Sequence, residues 1–97
     1  MNDYLLLMHA DSVTAEDASL WDAYLGKLNQ LGVFAGGSSI GAGHCVRKAG
    51  GAAALSPVVG FIRVRAETLH AAEQLLIGNP AFEAGATVEI RELLQDE

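Results

Sequence analysis

Ninety-seven residues, 51% hydrophobic and 19% charged, are enough for one domain with its own core and too apolar to stay unfolded. Twelve acidic against six basic side chains give a net charge of −6, which argues against nucleic acid as a partner, because phosphate contacts need a basic footprint. The single cysteine, Cys45, excludes an internal disulfide and a cysteine-only metal site. A domain this small buries only roughly 60–65% of the surface its unfolded chain exposes. Pairing with a second copy is a natural outlet for the apolar area left over.

Tyr4 to Met8 is a short run of large apolar residues, consistent with a central strand buried on both faces. No basic region precedes it and it is far too short to span a bilayer, so neither a signal peptide nor a membrane segment is expected, and the reducing cytoplasm is the expected compartment. His9 and Asp11 follow, spaced to project to the same side if the strand persists. They are candidates for an imidazole held by a carboxylate in acid–base work, the alternative being a strand end that runs into a helix cap.

Thr14 is a plausible N-cap, with Glu16 and Asp17 in the first turn where the helix dipole favours negative charge. Trp21, Tyr24, Leu25, Leu28 and Leu31 recur at helical spacing, and Gly32 supplies a left-handed stop. The pattern predicts a helix of four or five turns lying on a sheet. Trp21 and Tyr24 read first as core, although both sit near the start of the helix, where a pocket rim could use them.

VFAGGSSI, residues 33–40, begins as a strand and becomes glycine-rich. GGSSIGAG has the look of a phosphate cradle but lacks the lysine and the following helix of a P-loop, so a bulge or a close backbone approach accounts better for its glycines. Ser38 in this run is a candidate ligand-binding residue. HCVRK is expected to form a short strand that turns back at Gly50-Gly51, an extra small hairpin. His44 is a further candidate acid or base. Its neighbour Cys45 would point to the opposite face of an extended segment and cannot pair with it. His9, His44 and His70 show no zinc-type spacing, and neither a metal nor a cofactor is expected.

The last third reads as strand (VVGFIRVRA), helix (ETLHAAEQLLI), stop (GNPAFEAGA) and strand (TVEIREL). In the strands Ile62, Val64, Val88 and Ile90 alternate with Arg63, Arg65, Glu89 and Arg91, giving each strand an apolar and a charged face. Thr68 caps the helix, whose apolar positions include Leu69, Ala72, Leu75 and Leu76. Gly78, Asn79 and Pro80 end it, Phe82 is expected to tuck under that turn, and His70 to lie exposed. The final QDE is expected to fray. Arg63, Arg65 and Arg91 are either ion-paired on an open sheet or the anchors for an anionic group.

In order, these elements predict an α+β, ferredoxin-like βαββαβ domain spanning residues 1–97. Its four-stranded antiparallel sheet carries two helices on one face, with the first and third strands neighbours in the centre. The other face, with Phe61 and the arginines, lacks a cover from its own chain, and a homodimer packed sheet to sheet would supply one.

YLLLMHAD, LNQLGVFAGGSSI and VVGFIRVRAETLHAAEQLLIGNPAFEAGATVEIREL together resemble the YCII-related (DGPF-type) proteins of the dimeric α+β barrel superfamily. The resemblance covers most of the chain outside roughly residues 42–57. It implies a homodimer with a cleft near the interface and, by analogy with relatives that act on chlorinated hydroxyquinol-type aromatics, lyase or isomerase chemistry through a His–Asp pair. Trp21 stands at about the position of the family's histidine, and AALSPVVGF replaces the DGPF tetrapeptide. Two functions therefore stand side by side. In one, His9 or His44 moves a proton on a small anionic or aromatic substrate held by the arginines; in the other, a non-catalytic dimer binds a small ligand or serves an assembly. A phosphate or nucleotide site at GGSSIGAG is a third, weaker reading.

Overall fold

The computed structural model of the protein describes residues 1–95, so the expected fraying at Asp96 and Glu97 lies outside the described residues. Four strands, β1 (Asn2–His9), β2 (Phe34–Ser39), β3 (Val58–Ala66) and β4 (Val88–Leu93), form one antiparallel sheet in the order β2-β3-β1-β4. The helices are α1 (Trp21–Gln30), preceded by a 3-10 turn at Ala18–Leu20, α2 (Leu69–Gln74) and the one-turn α3 (Pro80–Glu83). The architecture is α+β, and its strand order is that of a ferredoxin-like layout with β1 and β3 central.

Alternation decides which face carries the helices. Tyr4, Leu6 and Met8 of β1 and Ile62, Val64 and Ala66 of β3 are buried, and they pack with Tyr24 and Leu28 of α1, Ala72 and Leu76 at α2, and Ala81 of α3. The alternate positions face away from the helices. There Asp3, Leu5 and Leu7 of β1 stand opposite Arg65, Arg63 and Phe61 of β3 and Leu93, Arg91 and Glu89 of β4. Leu5 and Leu7 are only half-buried, so β1 is covered on one face by its own chain rather than on both.

Helix ends follow local chemistry. Thr68 caps α2 through Ala71 N–H at 3.0 Å, and Gly32 and Gly78 take φ values of +72° and +88°, the left-handed stops expected of them. Pro80 does more than end a helix. It opens α3, where its missing N–H costs nothing, and the buried Asn79 caps that helix through Phe82 N–H at 3.0 Å. Phe82 is 42% exposed and does not tuck under the turn, and Leu69 is exposed as well.

The stretch before α1 departs from expectation. Thr14 is no cap: the N–H groups of Val13 and Thr14 both donate to Ala84 carbonyl oxygen, tying a bend in the chain to the end of α3. Asp17 instead caps the 3-10 turn through Ser19 N–H, and the α-helix starts only at Trp21, giving ten residues, about three turns. Gly85, at φ +90°, permits this crossing, since a Cβ there would lie 2.8 Å from Val13 Cγ2.

Residues 40–57 form no strand, and all of them are exposed. The expected hairpin at HCVRK is therefore absent. Val46, 85% exposed, finds no apolar partner, and a lone branched residue among glycines and charges cannot fix a register. Gly50 does turn at φ +77°, next to a bond from Arg47 Nη1 to Gly51 carbonyl oxygen. The outline of the molecule is flat, 46 × 41 × 19 Å.

Candidate functional site

A cavity of about 680 Å³ opens at the end of the sheet where β1 and β2 finish and β3 begins. That volume lies within the range of small-molecule sites. Its origin is a shortage of side chains. Gly37 and Gly60 line it beside Met8 and Ile62, Trp21 and Leu25 line it from α1, and Phe34, Val59, Phe61 and Ala81 add to the apolar wall. β2 is irregular between Phe34 and Gly37, with Gly36 at φ +107°, so the glycine run serves as a bulge rather than a phosphate cradle. A Cβ on Gly37 would meet Phe61 carbonyl oxygen at 2.6 Å, a close approach that requires glycine. Polar groups at the cavity come from His9, Ser12, Glu16, Ser38 and Ser39.

His9 lies in this wall at the end of β1, its side chain 19% exposed. Its Nε2 is enclosed and makes no hydrogen bond, with Glu89 Oε1 at 3.4 Å in an alignment short of one. Asp11 is engaged elsewhere: it accepts Thr87 N–H at 2.7 Å and Thr87 Oγ1–H at 2.6 Å. Those bonds from Thr87 hold the Asp11 carboxyl below its ordinary pKa. The residue thus clamps the end of β1 to the start of β4, the role of a structural strand end rather than of an imidazole's partner.

Trp21 forms part of the rim, its Nε1–H donated to Glu16 Oε1, and its ring meets that of Tyr24 edge to face with centroids 5.9 Å apart. Tyr24 is core: it is buried, its hydroxyl donates to Leu75 carbonyl oxygen at 2.8 Å, and burial pushes its pKa up. Ser38 lines the cavity, its hydroxyl donating to Ser39 carbonyl oxygen at 2.9 Å.

The arginines stand apart from the cavity, on the open sheet face. Arg63 Nη2 donates to Asp3 Oδ2 at 2.9 Å, Arg65 Nε lies 3.6 Å from Asp3 Oδ1, and Arg91 Nη1 meets Glu89 Oε2 at 3.1 Å. The hydrogen bond from Arg63 holds the Asp3 carboxyl below its usual range, and that from Arg91 does the same for Glu89. His44 and Cys45 belong to the exposed 40–57 segment, and His70 is exposed on α2.

The structure therefore brings His9, Trp21 and Ser38 together and leaves Arg63, Arg65, Arg91 and His44 outside that group. Glu89 beside His9 was not foreseen as its partner. The signal available was the alternation that placed Glu89 on the charged face, but the register joining it to β1 is non-local. Among the described residues no group of three His, Cys, Asp or Glu side chains could hold a metal ion, and no helix is long and apolar enough to cross a membrane. No family model matches the chain, and no curated protein matches it.

Proposed function

We propose that the protein is a homodimeric, YCII-like small-molecule protein in which His9 exchanges a proton with a flat, largely apolar ligand bound in the cavity, in the manner of a lyase or isomerase. The observation that carries this reading is the cavity itself: an indole above, glycines below and one imidazole in the wall. Aromatic rings suit such a slot because both faces find apolar contact. No Lys or Arg lines it, which favours an uncharged ring over the anionic one the sequence also allowed. The dimer reading draws support from the other face of the sheet, where Leu5, Leu7 and Phe61 are half-buried between ion pairs. A second copy of that face would cover the leucines and phenylalanine while the pairs mark its rim.

A non-catalytic ligand-binding dimer is the second reading. It is favoured by one observation, the engagement of Asp11 with Thr87, which leaves His9 without a preformed hydrogen-bonded carboxylate. Thermal-shift screening of phenolic and enolic compounds, followed by turnover assays on those that bind, separates the two. Acid–base catalysis predicts that His9→Gln keeps binding and loses about 10²–10⁴ in rate. Unchanged turnover removes His9 from the chemistry, and a bound compound that is never consumed establishes the second reading.

A further inference from the structure

Two carboxylates lie within electrostatic reach of His9, and the fold commits them differently. Asp11 gives one oxygen to the Thr87 amide and the other to the Thr87 hydroxyl, at 2.7 and 2.6 Å. Glu89 gives only Oε2 away, to Arg91 Nη1 at 3.1 Å, and its Oε1 remains 3.4 Å from the enclosed His9 Nε2. Arg91 thus fixes the carboxylate from its far side while the near oxygen faces the imidazole. The β1–β3 register also shifts between Met8 and His9, the kind of irregularity that re-aims a side chain at a strand end.

We propose that Glu89 is the positioning residue for His9: it accepts the Nε2–H, which leaves the lone pair on Nδ1 to act as the base. This inference rests on the acid–base reading of the cavity and replaces Asp11 with Glu89 as the imidazole's partner. In the proton-transfer step Nδ1 takes a proton from the substrate, the imidazolium charge is held beside the Glu89 carboxylate, and the same proton is returned to the product. The 3.4 Å separation is a few tenths of an ångström longer than a hydrogen bond, and catalytic hydrogen bonds commonly tighten by that much when a ligand binds. The carboxylate acts through orientation and charge and need not touch the substrate.

The charged groups around His9 are few. From β4 come Glu89 and, behind it, Arg91; from the segment after β1 come Asp11 and, at the cavity rim, Glu16. The part of β3 at this end, Val58–Phe61, brings no charge.

Proton NMR of the whole protein tests the assignment without knowing the substrate. An enclosed, carboxylate-bound Nε2–H exchanges slowly, so one imidazole N–H resonance is expected that disappears in His9→Gln and in Glu89→Ala, returns in Glu89→Asp, and persists in Asp11→Asn. By reciprocity, His9→Gln should also move the Glu89 carboxyl titration upward, because His9 is one of the groups that hold it low. In activity, Glu89→Gln should lower kcat about tenfold with KM unchanged, and Glu89→Asp should recover part of it. A protected resonance that survives Glu89→Ala, or a Glu89 titration indifferent to His9→Gln, overturns the inference even where His9→Gln abolishes turnover. Turnover that survives His9→Gln overturns the acid–base reading itself, whatever the spectra show.

Discussion

At the end of β1 the side chain of Asp11 reaches across to the chain just before β4. Its carboxylate joins the end of β1 to Thr87, 76 positions away, through two hydrogen bonds. Because those bonds favour the ionised form, the Asp11 pKa is lower in the folded chain than in the unfolded one. The linkage has a definite sign. The contribution is present above the ordinary aspartate value near 3.8 and is lost as pH falls through the lower, folded value. Asp11→Asn is therefore expected to lower the melting temperature at neutral pH and to flatten the acid limb of the stability profile, measured by thermal melts between about pH 2 and 7. An acid limb as steep as that of the unmodified protein would show that the clamp contributes nothing. Glu89 was illegible as a partner for His9 for the same reason that Asp11 was tempting. Asp11 is two residues from His9 in sequence, whereas Glu89 is brought near only when β4 pairs with β1.

At the scale of elements, legibility tracks how local the governing interactions are. The strands β3 and β4 were readable because Ile62, Val64, Val88 and Ile90 alternate with charges, and a period of two has one structural meaning. Thr68, Gly32 and Gly78 were readable because a cap or a left-handed stop depends on its immediate neighbours. The start of α1 was not, since the amides of Val13 and Thr14 are taken by Ala84, some 70 residues away, in place of a first helical turn. The hairpin expected of HCVRK and Gly50-Gly51 does not form, because a glycine pair announces a turn without announcing strands beside it. β2 and β3 are hydrogen-bonded neighbours that a loop of two to five residues could join, so these eighteen exposed residues exceed what connection requires. Limited trypsin digestion is expected to cut first after Arg47 and Lys48, leaving the strands and helices protected on the gel and by mass spectrometry. First cuts after Arg63 or Arg91 would mean that the sheet opens more readily than this segment is attacked.

For the whole molecule, the covered face and the open face of the sheet divide the work. The covered face supplies the core, and the cavity opens at the end of the sheet, where Gly37 and Gly60 stand in place of larger residues and Phe61 reaches it from the other face. The open face carries Leu5, Leu7 and Phe61 among the ion pairs of Asp3, Arg63, Glu89 and Arg91. If a second copy covers it, sedimentation at micromolar concentration should give twice the chain mass. Leu7→Glu, which sets a carboxylate opposite Glu89, should return the protein to single chains without unfolding it. A wild-type species of single mass would remove the dimer and leave the cavity reading standing.

That cavity is the claim on which the functional account depends, and the sequence offers a private reporter for it, since Trp21 is the chain's only tryptophan. Its indole N–H gives one NMR resonance at the rim. Gly60→Val keeps a residue suited to a strand and adds volume beside Met8, whose Cε would lie 3.2 Å from the new Cβ. Titration with 2-naphthol, a flat uncharged ring, should move the Trp21 resonance to saturation in the wild type and leave it in place in Gly60→Val. An unmoved wild-type resonance, or an identical response in Gly60→Val, would contradict a ligand site between the indole and the glycines.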